Sequence, residues 1–155
     1  MTQLKLGDLA PLFNTQECDL LSLRGKTVVL YFYPKDDTPG CTIEAKEFSA
    51  NKPEFEKLGA VVFGVSKDSS ASHEKFKSKY CLEFDLISDN GSICQDYGVW
   101  VQKSMFGKSY MGIDRVTFLI DPAGKIAYIW TKVSVNDHAL EVIDKIKELD
   151  LLSHG

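Results

Sequence analysis

Three features of the sequence predict an α/β chain of three layers, with helices on both faces of a mixed central sheet. Strand-like and helix-like segments alternate through the first two thirds of the chain. Two runs rich in β-branched and aromatic residues, Thr27 to Tyr33 and Ala60 to Ser66, are apolar almost without interruption, as strands covered on both faces are. Further along, two more apolar runs flank Asp121-Pro-Ala-Gly124, a turn sequence that makes them a hairpin.

The elements follow in order. Thr27 to Tyr33 is the first long strand, and Pro34 to Gly40 is the loop after it. Helical spacing then sets in at Ile43, Ala45 and Phe48 and continues through Phe55 and Leu58, with Pro53 kinking or restarting the helix. Ala60 to Ser66 is a second buried strand. Ser72 to Tyr80 reads as an amphipathic helix, with Ser70 or Ser72 as its cap. Asp85 to Ser88 is a short strand, and Gly91 to Tyr97 a short helix closed by Gly98. A polar linker flanked by Trp100 and Phe106 leads to the hairpin strands Val116 to Ile120 and Ile126 to Trp130. Asn136 to Leu149 is the last helix, with apolar Leu140, Ile143, Ile146 and Leu149. The order β-α-β-α-β-α-β-β-α matches the thioredoxin-like fold, although periodicity alone carries it only to α/β in three layers.

At 155 residues the chain fits one domain, 1–155. A chain of this length buries about 68–70% of its unfolded surface and makes a core without disulfides. Its net charge of −4 and pI near 5.4 argue against a nucleic-acid binder. The longest apolar run, Val28 to Tyr33, is too short to cross a membrane, and the N-terminus lacks the pattern of a secretory signal. The expected setting is the cytoplasm, with free thiols. Cys18, Cys41, Cys81 and Cys94 contain no C-x-x-C and no zinc-ligand spacing. His73, His138 and His154 share no ligand spacing and read as surface residues.

In α/β sheets, ligands bind beyond the carboxyl ends of strands, where the loop Pro34 to Cys41 lies. Thr38 suits the N-cap and Pro39 the first helical position, so Cys41 falls at the third. Unpaired backbone N–H groups and the helix dipole favour a thiolate there. The same T-x-x-C spacing also describes a capped helix with a buried structural cysteine. The neighbours Asp36, Asp37, Pro39 and Gly40 hold little apolar surface and favour an open, reactive one. Only two arginines occur, Arg24 and Arg115. Arg115, at the start of a strand, reads either as a solvated charge or as a fork that holds a thiolate and donates to an oxygen. Glu44, one turn into the helix, reads as a solvated carboxylate that suits the dipole.

Pro34-x-x-x-Thr38-x-x-Cys41 resembles the active-site signature of peroxiredoxins. The wider string Tyr31-Phe-Tyr-Pro-Lys-Asp-Asp-Thr-Pro-Gly-Cys-Thr-Ile-Glu-Ala is similar to the bacterioferritin-comigratory-protein, or PrxQ, branch. The likeness runs on through Gly98-Val-Trp100 and Gly107-Lys-Ser-Tyr-Met-Gly-Ile-Asp-Arg-Val-Thr-Phe-Leu-Ile-Asp121. It implies a thioredoxin-like fold and a thiol-dependent peroxidase acting on hydrogen peroxide and organic hydroperoxides without metal, haem or flavin. Cys41 would be the peroxidatic cysteine. Thr38 would bond thiolate and peroxide, Arg115 would polarise the O–O bond, and Pro34 would shield the pocket.

The sulfenic acid formed on Cys41 would then condense with a second thiol. Many members carry that thiol five residues on, where this chain has Lys46. Another subgroup carries it at the place of Lys77, one turn before Cys81. Cys81 is the first choice as resolver, an external thiol the second, and Cys18 or Cys94 the remainder. Cys94 reads as buried and Cys18 as exposed. Thioredoxin or a similar dithiol protein is the implied reductant, and a monomer or weak homodimer the implied assembly. A peroxide-sensing interaction module is the alternative from another functional class.

Overall fold

The computed structural model describes residues 2–149, so His154 and the last six positions lie outside the described residues. In chain order the elements are β1 (Thr27–Phe32), α1 (Pro39–Ala50), α2 (Lys52–Lys57), β2 (Ala60–Ser66), α3 (Ser70–Tyr80), β3 (Asp85–Ser88), α4 (Ser92–Asp96), β4 (Trp100–Met105), β5 (Lys108–Ile113), β6 (Val116–Ile120), β7 (Ile126–Trp130) and α5 (His138–Glu148). A 3-10 turn, Leu20–Leu23, precedes β1. The main sheet has the order β3-β2-β1-β6-β7. β1 pairs parallel to β2 and antiparallel to β6, so the sheet is mixed, as the sequence predicts.

β1 is buried along its whole length, and its alternation divides the interior in two. Val29, Tyr31 and Tyr33 face a core built with α1, α2, α3 and α5. Val28, Leu30 and Phe32 face a second core with β6, α4 and the N-terminal segment. Tyr31 stacks on Phe48 of α1 with ring centroids 4.7 Å apart. Gly64, its register partner on β2, leaves room for that ring. A Cβ at Gly64 would stand 2.8 Å from Tyr31 Cζ and 2.9 Å from its hydroxyl.

Pro53 restarts the helix, in the first turn of α2 after a break at Asn51. The cap of α3 is Ser69, whose hydroxyl accepts from Ser72 N at 3.1 Å, rather than Ser70 or Ser72. The buried stripe of α5 is Ala139, Val142, Ile143 and Ile146, while Leu140 and Leu149 are exposed. The stripe is therefore rotated from the expected one, with Ala139 and Val142 turned inward in place of Leu140 and Leu149. The linker after Trp100 forms its own two-stranded sheet of β4 and β5. Its turn is Phe106-Gly107, both at positive φ (51° and 79°). Phe106 at the tip is 97% exposed. Trp100 is half-buried beneath the Lys67 ammonium, 4.2 Å from its ring centroid.

His138 is buried rather than superficial. Its ring pairs with Thr117 Oγ1 (2.9 Å) and Glu141 Oε1 (3.0 Å), and burial holds its pKa below the usual value. Cys18 is also buried, against expectation, and burial pushes its thiol up to about 12. Cys94 is buried as expected, and burial raises its pKa as well.

Candidate active site

The site forms where β1 hands the chain to α1. Pro39, Gly40 and Cys41 are the first three residues of α1, and Thr38 takes the extended N-cap conformation (φ −93°, ψ 157°). The Thr38 hydroxyl does not cap the helix. It donates to Lys35 O at 2.9 Å and so closes the loop on itself, while its carbonyl accepts from Thr42 N at 2.8 Å. Pro34, at the start of the loop, is exposed.

Cys41 is 2% exposed, so polar sequence neighbours do not leave it open. Its cover comes from tertiary packing in the core that also holds Tyr31, Tyr33, Ala45 and Phe48. The thiol faces a cation. Arg115 Nη2 donates to Cys41 Sγ at 3.4 Å, and Nη1 donates to Glu44 Oε1 at 2.7 Å. Sheet pairing explains how Arg115 arrives. The register couples Phe32 to Val116 antiparallel, so the residue before Val116 emerges beside the residues after Phe32. Gly40 completes the approach, since a Cβ there would stand 3.2 Å from Arg115 Nη2.

Glu44 is not a solvated carboxylate. It is 1% exposed and anchors one arm of the guanidinium. Burial, working against Arg115, pushes its pKa up to about 7. Its second oxygen, like the Tyr31 hydroxyl, is a buried polar atom without a protein partner among the described residues. One sequence signal could have exposed Glu44: it lies three residues after Cys41, on the same helix face.

Cys81 is exposed and closes α3 in a left-handed conformation (φ 52°, ψ 46°). Lys77, one turn earlier, is engaged with Asp85 at 3.0 Å. Lys46 lies 5.8 Å from the Tyr80 ring centroid, which brings the second turn of α1 against the last turn of α3. All four cysteines are free. Cys41 belongs to the core on one side of β1, and Cys18 and Cys94 to the core on the other.

A thioredoxin-like sheet that presents a buried cysteine in a first helical turn, bonded to an arginine fork, defines a thiol-based redox protein. Residues 6–129 match the AhpC/TSA family. The chain belongs to that family, in its Bcp or peroxiredoxin Q branch, and is a peroxidase acting on hydroperoxides. Peroxiredoxin Bcp of Bacillus subtilis is 47% identical over 131 residues, covering 84% of this chain and 83% of the relative. Peroxiredoxin Bcp of Escherichia coli K12 is 40% identical over 154 residues, covering 96% and 99%. The solved bacterioferritin comigratory protein of Xanthomonas campestris, studied for alkyl peroxide reduction, superposes with a TM-score of 0.84 at 41% identity, covering 94% of this chain and 95% of its own. A cysteine variant of Xylella fastidiosa PrxQ gives 0.87 at 36% identity, covering 97% and 99%. Among the described residues, no helix is long and apolar enough to cross a membrane.

Proposed function

We propose that residues 1–155 act as one peroxidase domain in which Cys41 is the nucleophile toward hydrogen peroxide and organic hydroperoxides. The observation that carries this reading is the bond from Arg115 Nη2 to Cys41 Sγ, with the same guanidinium braced by Glu44. A cation there favours the thiolate and supplies N–H donors for charge that develops on a departing oxygen. The Thr38 hydroxyl gives its proton to Lys35 O, so its free lone pairs accept the O–H of a peroxide and orient it.

Attack forms an S–O bond and breaks the O–O bond. The departing alkoxide takes a proton and leaves as water or alcohol, and Cys41 becomes a sulfenic acid. With 2% of Cys41 exposed, the substrate enters by its peroxide end, which suits small or slender hydroperoxides. Pro34 lies on the solvent side of the loop and limits water there.

Cys81 is the resolver in this reading. Its thiol attacks the sulfenic sulfur, an S–S bond forms and water leaves. Two observations support it over the other cysteines. Cys81 is the exposed one, and Cys18 and Cys94 lie across the sheet from Cys41. Because Cys41 is buried in the first turn of α1, that turn must open to complete the bond. A dithiol protein of the thioredoxin class then exchanges with the disulfide and returns both thiols. We propose a cytoplasmic setting, in which thiols stay reduced between turnovers, and a monomer or weak homodimer as the working unit.

The test combines Cys41→Ser with two readouts. Stopped-flow mixing with hydrogen peroxide should show rapid thiol loss in the parent and none in the variant. Peroxide consumption coupled to thioredoxin, thioredoxin reductase and NADPH should be sustained in the parent. A single stoichiometric burst would identify a sensor instead, and an active Cys41→Ser would overturn the assignment. Mass spectrometry of non-reduced peptides after one equivalent of peroxide should recover a Cys41–Cys81 link. A persistent Cys41 sulfenic acid beside free Cys81 would point to an external thiol.

A further inference from the structure

A buried contact between Asp36 and His73 fastens the loop before Cys41 to α3. Asp36, two residues before Thr38, is 8% exposed, and His73, on the first turn of α3, is 3% exposed, contrary to its expected place on the surface. Asp36 Oδ2 lies 2.7 Å from His73 Nδ1 and also accepts from Ser72 Oγ at 2.8 Å. Asp36 Oδ1 accepts from the Tyr33 hydroxyl at 2.6 Å. The Asp36 backbone N–H donates to Asp68 Oδ2 at 2.8 Å, and Ser66 Oγ donates to the same oxygen at 2.8 Å. His73 Nε2 faces Ile87 O at 3.1 Å.

These partners determine where the protons are. A peptide carbonyl only accepts, so His73 Nε2 carries a hydrogen. Two hydroxyls donate to Asp36, which holds it as a carboxylate, so the proton between Asp36 and His73 belongs to Nδ1. The ring is therefore an imidazolium, and neither of its nitrogens has a lone pair to offer a cation. Burial opposes this charge, but Asp36, the Ile87 carbonyl and Asp68 outweigh it and raise the His73 pKa. Burial likewise opposes ionisation of Asp36, and the bonds from His73, Tyr33 and Ser72 bring its pKa below the usual range. Tyr33 faces the pair from the end of β1, and Asp68 from the segment after β2. Glu17, Glu74, Lys77 and Asp85 border the shallow opening beside the ring.

We infer that His73 is a positioning residue for the peroxide reaction: its imidazolium fixes Asp36 and, through it, the loop that carries Thr38 and Cys41. The inference rests on the reading of Cys41 as the reacting thiol. His73 touches neither Cys41 nor the peroxide. When its ring loses a proton, one hydrogen must serve two buried acceptors, and either Asp36 or Ile87 O is left without its donor. Where Asp36 loses the ring's hydrogen it keeps Tyr33 and Ser72 but not its charged donor, the loop loosens and Cys41 shifts against Arg115, a displacement to which rates are steeply sensitive.

The test compares the parent with His73→Gln, which is neutral at every pH. The rate of Cys41 oxidation by hydrogen peroxide is followed in both across about pH 6–10, a window beginning near the ordinary histidine value. Rates are expressed per Cys41 thiolate, followed in each protein by its ultraviolet absorbance, so the ratio of parent to variant isolates His73. We expect a ratio of about tenfold at the acid end, falling toward one as pH rises through the raised His73 pKa. A ratio that is constant with pH would mean a merely structural role and overturn the proposal. Nitrogen–proton correlation spectra of the parent ring provide a second measure that needs no folded variant. Both ring nitrogens should be protonated at neutral pH, and a neutral ring overturns the proposal. Cys41→Ser run alongside separates the two readings. Peroxide reactivity surviving in that variant counts against Cys41, whereas the ring spectra of the parent report on His73 alone.

Discussion

Arg115 reaches Cys41 across a residue with no side chain. A methyl group on Gly40 would press on Arg115 Nη2 at 3.2 Å, and the guanidinium already has its other arm on Glu44. Gly40→Ala should therefore move the fork while favouring the helix, since alanine is the better helix former. The expected outcome is Cys41 oxidation slowed by about tenfold or more with a melting temperature no lower than the parent's. Stopped-flow rates and calorimetry check the two halves, and an unchanged rate would mean that Arg115 has slack. The pairing of Arg115 with Cys41 could be anticipated from the motifs around them. The burial of Glu44 and of His73 could not. A carboxylate or imidazole is tolerated inside a protein only with a partner, and those partners lie 71 and 37 positions away.

Among the elements, α3 is fastened to the loop before Cys41 at both of its ends. Asp36 takes the N-terminal end through Ser72 and His73. Asp37, in a left-handed conformation (φ 57°), takes the C-terminal end, accepting from Lys79 Nζ at 2.8 Å and the Tyr80 hydroxyl at 2.7 Å. The second clasp lies beside Cys81 and is exposed, so it is the weaker one. Disulfide formation requires α1 and α3 to move relative to each other. Asp37→Ala should then speed Cys41–Cys81 bond formation by about threefold, timed from the sulfenic acid already formed on Cys41, as rapid-quench mass spectrometry would show. Slower bond formation would mean that the clasp holds Cys81 in place rather than away. The hairpin of β4 and β5 is not legible in the sequence. Most of its residues are exposed or half-buried, so it lacks the apolar face by which strands are recognised.

For the whole molecule, the sheet decides which thiols can meet. Val29, Tyr31 and Tyr33 share a core with Cys41, and the alternate residues of β1 share the other core with Cys18 and Cys94. A Cys18→Ser, Cys94→Ser double variant should form the Cys41–Cys81 disulfide in undiminished yield. It should also lose about 2–6 kcal/mol of stability, about 1–3 for each hydroxyl buried where a thiol was. Peptide mapping and urea unfolding measure the two effects. A fall in disulfide yield without unfolding would bring one of the buried thiols back into the cycle.

By itself the sequence determined the strands at 60–66, 85–88, 116–120 and 126–130, the helix start that places Cys41 in its first turn, and the family. Those are short-range or whole-chain patterns: periodicity, turn residues, caps and motif order. Only the tertiary structure decided that Cys41 is buried, that Glu44 braces Arg115, that His73 is enclosed beside Asp36, and that Cys18 and Cys94 lie across the sheet from Cys41. The physical reason is that burial and pairing belong to groups far apart in the chain. Antiparallel pairing of β1 with β6 brings Arg115 to Cys41 across 74 positions, and only the closed sheet creates that neighbourhood.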